Sequence, residues 1–248
     1  MFFMRVAVYN QMFGLNGRSF FSSMGGHYFV HFQKDPKKVE KFVNLNETLE
    51  IVGKSKADIL GICEISEGQE KDICKGLRKL GYKYFYFGRG HKFKYSNKHV
   101  IELLASKFKG KQLNYKIWPL VNRLGGGGGF VVCKFKEMNV FHVHLALPRR
   151  GFFEKQIEYM QKILKKLNGR TIVMGDFNYS WKDLKKYFPG FKLVTEEYKT
   201  CSLTPVMKWF YNKDVDHIFV KGFGVESIGT LEGRSDHKLI YADLKRLK

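Results

Sequence analysis

The sequence predicts an α/β fold in which antiparallel strand pairing is prominent. Apolar runs of strand length outnumber amphipathic helical stretches, and the helices fall between strands rather than in one block. An all-parallel, doubly wound sheet would alternate strand and helix throughout, which this chain does not do. Hydrophobic residues make up 44% of the 248 and aromatics 16%, enough to fill a sizeable core. No Pro-, Ser- or Gln-rich linker and no internal repeat divides the chain, so residues 1–248 read as a single domain.

Taken in order, residues 3–10 form a first strand that ends at Asn10. Asp35-Pro36 is a start signal for a helix over 37–53, where Val39, Phe42, Val43, Leu45, Leu49 and Val52 recur at mostly helical spacing. Residues 57–65 read as a buried strand with Glu64 near its end, followed by a helix over 67–80 closed by Gly81 and a strand over 82–87. Short strands fit 99–106 and 117–121, and five glycines, Gly125 to Gly129, precede a strand over 130–135. The next strand, over 138–147, contains Phe141-His142-Val143-His144-Leu145. Residues 152–167 make the clearest amphipathic helix, with Phe153, Ile157, Met160, Ile163, Leu164 and Leu167 on one stripe. A strand from Thr171 then runs into Gly175-Asp176-Phe177-Asn178, a short helix fits 181–188, and strands near 215–220, 225–230 and 238–244 complete the pattern.

The formal net charge is +21, with lysines spread along the whole chain. Any one lysine run is accounted for by a lysine-rich background. The surplus as a whole favours a polyanionic partner, because acidic residues have not risen to balance it. Nucleic acid comes first and an anionic membrane or phosphoinositide second. Cys63, Cys74, Cys133 and Cys201 are scattered without a C-x-x-C pair, and Cys63 and Cys133 sit in apolar runs, so buried thiols in a reducing compartment are expected. Met1-Phe2-Phe3-Met4-Arg5 has no basic leader before an apolar stretch, and no run reaches transmembrane length. A soluble intracellular monomer, in the cytoplasm or the nucleoid or nucleus, is the expectation.

The chemistry concentrates where strands end. In Gly175-Asp176-Phe177-Asn178 an apolar run breaks at a glycine and then shows a carboxylate and a carboxamide two residues apart. In extended backbone these two side chains point the same way, which suits orienting a water against a phosphate. A strand end with an Asx-type turn is the plainer reading of the same four residues. Asn10, Glu64, Asp176 and Asn178 close apolar strands, whereas Asp216 and Asp236-His237 stand just before others. With antiparallel neighbours, these ends gather at one edge of the core. The set is rich in hard oxygen donors with two imidazoles, which favours Mg²⁺ or Mn²⁺ over Zn²⁺.

The order of these elements resembles the endonuclease/exonuclease/phosphatase superfamily, which includes deoxyribonuclease I, exonuclease III-type nucleases, inositol polyphosphate 5-phosphatases and 5′-tyrosyl-DNA phosphodiesterases. The resemblance rests on Asn10, Glu64 after Asp58-Ile59-Leu60, His144-Leu145, Gly175-Asp176-Phe177-Asn178, Asp216 before Ile218-Phe219, and Ser235-Asp236-His237. It implies a four-layered α/β/β/α sandwich of two mixed, largely antiparallel sheets, with the site along one edge. It further implies Glu64 as principal Mg²⁺ ligand with Asn10 and Asp236 completing the shell, and Asp176 orienting or deprotonating the attacking water. Asn178 would contact the phosphate, His237 would sit on it with Asp216 behind, and His144 would be a second phosphate-facing imidazole.

Other residues carry weaker signals. Asn10 is otherwise a strand-end turn former, and His142 reads as packing or support for His144. His217 alternates away from Asp216 and reads as structural, and His27, His31, His91 and His99 have no ligand spacing. Arg149, Arg150 and Gln156 are candidates for phosphate binding, or else exposed residues at a helix start. The five glycines are not a P-loop, since no Lys-Ser/Thr follows and a strand comes next; a hairpin beside the active edge is expected. Met12 stands where abasic-site enzymes of the superfamily carry an aspartate, which argues against that specificity. The sequence thus reads as a Mg²⁺-dependent phosphodiesterase of DNA or RNA. Its rivals are an enzyme of the same fold acting on phosphoinositide, sphingomyelin or another small phosphoester, and a catalytically silent nucleic-acid-binding module.

Overall fold

The computed structural model describes residues 3–15, 43–92, 98–115, 129–147, 152–196, 198–202 and 212–247. Among these the elements run β1 (Phe3–Asn10), α1 (Leu45–Ser55), β2 (Ile59–Ser66), α2 (Glu70–Lys79), β3 (Tyr84–Lys92), β4 (His99–Ser106), β5 (Lys111–Gln112), β6 (Gly129–Phe135) and β7 (Met138–His144). They continue with α3 (Phe152–Leu164), β8 (Arg170–Asp176), α4 (Trp181–Leu184), β9 (Lys192–Leu193), β10 (Cys201–Ser202), β11 (Asn212–Lys213), β12 (Asp216–Lys221), β13 (Phe223–Glu232) and β14 (Lys238–Arg246).

Two six-stranded mixed sheets result, ordered β13-β14-β1-β2-β4-β3 and β5-β6-β7-β8-β12-β9, beside a two-stranded ribbon of β10 and β11. Only β1 with β2 and β7 with β8 pair in parallel; the other ladders between the named strands are antiparallel.

Side-chain alternation sorts the core into layers. Val6 and Val8 of β1, Val140 of β7, Ile172 and Met174 of β8, Ile218 of β12 and Ile240 of β14 fill the space between the two sheets. The alternate residues Ala7, Leu60, Ile62 and Leu103 pack outward against Ile51 and Val52 of α1 and Ile73 and Leu77 of α2. On the far side, Phe141, Val143, Val173 and Phe219 meet Phe153, Ile157 and Met160 of α3 and Leu184 of α4. Helix, sheet, sheet and helix thus stack as the four layers expected.

Several boundaries differ from the sequence expectation. The first helix begins only at Leu45, because Asn44 caps it: its Oδ1 accepts from the Asn46 amide at 3.2 Å. Residues 37–42, the strand at 117–121 and Gly125 to Gly128 lie outside the described residues, whereas Gly129 opens β6 directly opposite His144. The helix expected over 181–188 is helical over Trp181–Leu184 and tightens into a 3-10 turn over Lys185–Tyr187. The two-residue strands β5, β9, β10 and β11 were not anticipated, since runs that short carry no periodicity.

Two glycines let the backbones come close enough to build the site. At Gly175, φ is +154°, and a Cβ would lie 1.7 Å from the Val143 carbonyl oxygen of the parallel neighbour β7. At Gly61 of β2, a Cβ would lie 2.4 Å from Nδ1 of His142 in the opposite sheet. The first contact is with backbone and cannot relax by rotamer change. Gly175→Ala is therefore expected to destabilise the fold by at least about 3 kcal/mol. Urea denaturation checks this, and a loss under about 1 kcal/mol would rule out the close approach.

Candidate active site

The polar residues at the strand ends continue the inward-facing rows of the core. Asn10 follows Val6 and Val8, Asp176 follows Ile172 and Met174, and His142 and His144 follow Val140. Ladder pairing sets Asp176 beside both His144 and Asp216 within one sheet. In the other sheet, Asn10 pairs with Cys63, next to Glu64. The inter-sheet core therefore turns from apolar to ionisable at one edge, as the sequence led us to expect.

Asp176 is the meeting point. It is 1% exposed, its Oδ1 accepts the Asn178 amide at 2.8 Å, and its Oδ2 accepts Nδ2 of Asn10 across the sheets at 2.9 Å. The Asn10 amide is oriented unambiguously, because its Oδ1 accepts from the Met12 amide at 3.0 Å while its NH₂ meets a carboxylate. Nε2 of His144 and Nε2 of His237 each stand 3.8 Å from Asp176 Oδ2.

Each imidazole is backed by a buried carboxylate. Nδ1 of His237 lies 2.7 Å from Asp216 Oδ2, and Nδ1 of His144 lies 3.3 Å from Glu102 Oε1. Burial alone would lower both pKa values. For His144, Glu102 with Asp176 and Glu64 outweighs it and raises the value to about 9. For His237, Asp216 with Cys201 and Asp176 holds it well above the ordinary range. Both rings are thus imidazolium ions near neutrality. His142 differs: burial pushes its pKa down, and its nitrogens face the carbonyls of Met174 and Ile62 at 3.3 and 3.2 Å, only one of which a neutral ring can serve.

Local backbone departures aim the acids. In β2 the register slips between Ile62 and Ile65, and Glu64 takes φ +59°. This bulge returns Glu64 to the inter-sheet edge, where Oε1 lies 3.8 Å from His144 Nε2. Asn178 also sits at positive φ, +55°, beyond the end of β8. The extended Asp176–Asn178 pair expected from sequence is therefore corrected. Asn178 comes back by an Asx-type turn, and its Nδ2 is tied to the Leu145 carbonyl at 2.8 Å.

The Asp236-His237 end is pinned from three directions. Arg234 reaches Glu47 of α1 at 2.8 Å, the Ser235 amide meets Tyr9 Oη at 3.4 Å, and the Lys238 amide donates to the Thr200 carbonyl at 2.7 Å. The Thr200 hydroxyl also accepts from the Asp216 amide at 3.0 Å, so one residue links both halves of the His237–Asp216 pair. His217 has its Nε2 2.9 Å from the Tyr179 carbonyl. His91 is buried at 6% exposure.

Of the remaining candidates, Arg149 and Arg150 lie outside the described residues. Gln156 is corrected from a helix-start residue at the surface to a buried one whose Oε1 accepts the Ala146 amide at 2.8 Å. Glu102 was missed, although a glutamate inside the apolar run of β4 was a readable sign that burial demands a partner. Thr200 gave no such sign.

The acidic groups Glu64, Glu102, Asp176, Asp216 and Asp236 outnumber the imidazolium ions of His144 and His237. Asp216 Oδ1 is buried without a hydrogen-bond partner among the described residues. A largely buried, oxygen-rich cluster with excess negative charge fits a hard divalent cation in charge and donor type. Asp176, Asp216 and His237 present ligand atoms within 4.8 Å of one another.

Fold and edge together define a class, the DNase I-like α/β sandwiches that hydrolyse phosphoesters. The model of the Endonuclease/Exonuclease/phosphatase family matches residues 32–237, and the chain belongs to that family. Among solved structures, an endonuclease/exonuclease/phosphatase family protein from Bacteroides thetaiotaomicron is 20% identical with a TM-score of 0.66, covering 98% of this chain and 97% of that one. D. rerio TDP2 complexed with single strand DNA product is 14% identical with a TM-score of 0.65, covering 98% and 99%. A mannosyl-6-phosphatase from B. thetaiotaomicron is 19% identical with a TM-score of 0.65, again covering 98% and 99%. Identities this low establish the fold alone. No match is found among curated proteins. Members of the family are phosphoester hydrolases and in general depend on a divalent metal.

The His144 pair makes stability depend on pH. A folded pKa raised from 6.5 to about 9 contributes stability that is complete below pH 6.5 and is lost as pH rises through 9. Chelator-treated protein should therefore lose stability between those values, and Glu102→Gln should flatten the decline. Urea midpoints across the pH series measure it; an unchanged slope in Glu102→Gln would exclude Glu102 as the cause.

Proposed function

We propose that this chain is a divalent-metal-dependent phosphodiesterase of nucleic acid. The observation that carries the reading is the convergence of two carboxylate-backed imidazolium ions, His144 and His237, on the one buried carboxylate Asp176. In this reading Asp176 orients the attacking water or takes its proton, held in place by Asn10 and the Asn178 amide. His237 and His144 donate hydrogen bonds to the non-bridging phosphate oxygens, where negative charge grows as the water attacks. Asn178 adds its remaining amide hydrogen to that phosphate. Glu64, Asn10 and Asp236 hold the cation, Mg²⁺ or Mn²⁺, which supplies charge neutralisation at the phosphate when bound. Arg149 and Arg150 are left as phosphate contacts of the bound strand; Gln156, occupied with Ala146, is not.

Nucleic acid is favoured over small phosphoesters by the charge of +21 and by the likeness to TDP2, which is seen with a single-strand DNA product. A phosphomonoesterase is the second reading, supported by the equal likeness to a mannosyl-6-phosphatase. Cleavage assays on single- and double-stranded DNA, RNA, 5′-tyrosyl DNA, sugar phosphates and soluble phosphoinositides separate the two. Hydrolysis of monoesters with every nucleic acid left intact would overturn the first.

Within this reading Asp176→Asn should lower turnover by about 10³- to 10⁴-fold while single-strand affinity stays within about twofold. A variant with near-native rate would remove Asp176 from the chemistry. Binding by the same variant should weaken with salt at a slope of about 0.7 per phosphate contacted on single strands. Heparin competing as well as DNA would mark the charge as unspecific.

A further inference from the structure

A second group of ligands lies beside the phosphate-facing edge and uses sulfur. Cys201 of β10 bridges His237 in antiparallel register, and the adjoining hydrogen bond from the Lys238 amide to the Thr200 carbonyl fixes that pairing at 2.7 Å. Cys201, Asp236 and His237 present a thiol, a carboxylate and an imidazole whose ligand atoms all lie within 4.8 Å of one another. They are 7%, 8% and 8% exposed. The comparable trio of Cys63, Glu102 and His142 is sealed, each at 0%.

We propose that Cys201, Asp236 and His237 form a binding site for a borderline-soft divalent cation, Zn²⁺ above all, and that its occupation switches the enzyme off. A donor set of one sulfur, one nitrogen and one oxygen with an open fourth position is what tetrahedral Zn²⁺ takes, and what Mg²⁺ does not. Bond lengths of about 2.3 Å to sulfur and about 2.0–2.1 Å to nitrogen and oxygen require the three groups to close in around the ion. Binding replaces the thiol proton and the imidazolium proton, both released to solvent, and forms metal–sulfur and metal–nitrogen bonds in their place.

The consequence follows from His237. Once bound to the soft cation through one nitrogen, the ring is a neutral imidazole that keeps a single N–H and no longer turns a proton toward Asp176. In the functional reading Asp236 also belongs to the Mg²⁺ shell with Glu64, so the two sites share that carboxylate and the soft cation competes with the hard one for it. Activity would then be set by the ratio of a hard cation to a thiophilic one. This step rests on the phosphoesterase reading, but the binding claim does not.

Chelator-treated protein titrated with Co²⁺ as spectroscopic probe should develop a thiolate-to-metal charge-transfer band that saturates at one equivalent. The band should vanish in Cys201→Ser and in Cys201→Ala and persist in Cys74→Ser. X-ray absorption of the Zn²⁺-loaded wild type, which needs no substitution, should show one sulfur neighbour at about 2.3 Å. In the Mg²⁺-loaded enzyme, Cys201→Ser should need at least about tenfold more Zn²⁺ for half-inhibition. An all-oxygen-and-nitrogen shell, or a charge-transfer band that survives both Cys201 substitutions, would overturn the site. A band that behaves as expected while no phosphoester is cleaved would leave the site standing and remove the functional reading instead.

Discussion

The site depends on the burial of one carboxylate, Asp176, between two sheets. A charge at 1% exposure is costly unless hydrogen bonds and opposite charges surround it. Asn10 donates to it from the opposite sheet, the Asn178 amide from the turn beyond its own strand, and two imidazolium rings flank it. Each of those partners must in turn be held, which brings in Glu102, Asp216 and Thr200. The polar edge is a chain of obligations that starts from a single buried charge.

The same edge is where the backbone leaves ordinary geometry. Met12 and Phe13 after β1, Glu64 in β2 and Asn178 after β8 all have positive φ without being glycine. Such residues cost about 1–3 kcal/mol each and persist only where their surroundings hold them. Here the strain is what redirects side chains that strict alternation would send elsewhere. The apolar inter-sheet core, built from Val, Ile and Met, supplies the rigidity against which the edge is held.

Much of this was legible in the sequence. The four layers follow from alternation in strands and from the stripes of α1 to α3. The residues that close or precede apolar runs, Asn10, Glu64, Asp176, Asp216, Asp236 and His237, stand out because a polar group there must either turn the chain or face a site. What escaped the reading depends on contacts distant in sequence. The bulge at Glu64 is settled by what its carboxylate meets, not by its neighbours in the chain, whereas the Asx-type turn at Asn178 is local and was one of the two readings its four residues allowed. Glu102 sits mid-strand and becomes intelligible only beside His144, 42 residues on. Thr200 and Cys201 belong to a two-residue strand, too short to carry a pattern.

The pairing of β1 with β14 places residues from near the two ends of the described chain side by side, Val8 opposite Ile240. Asn10 leaves one of these strands and His237 leads into the other. Asp236 and His237 are therefore missing from the polar edge until β14 has docked on β1, and contacts of such sequence separation are among the slowest to form. A chain still being synthesised holds Asp176 without His237. The polar edge is therefore complete only once β14 has docked.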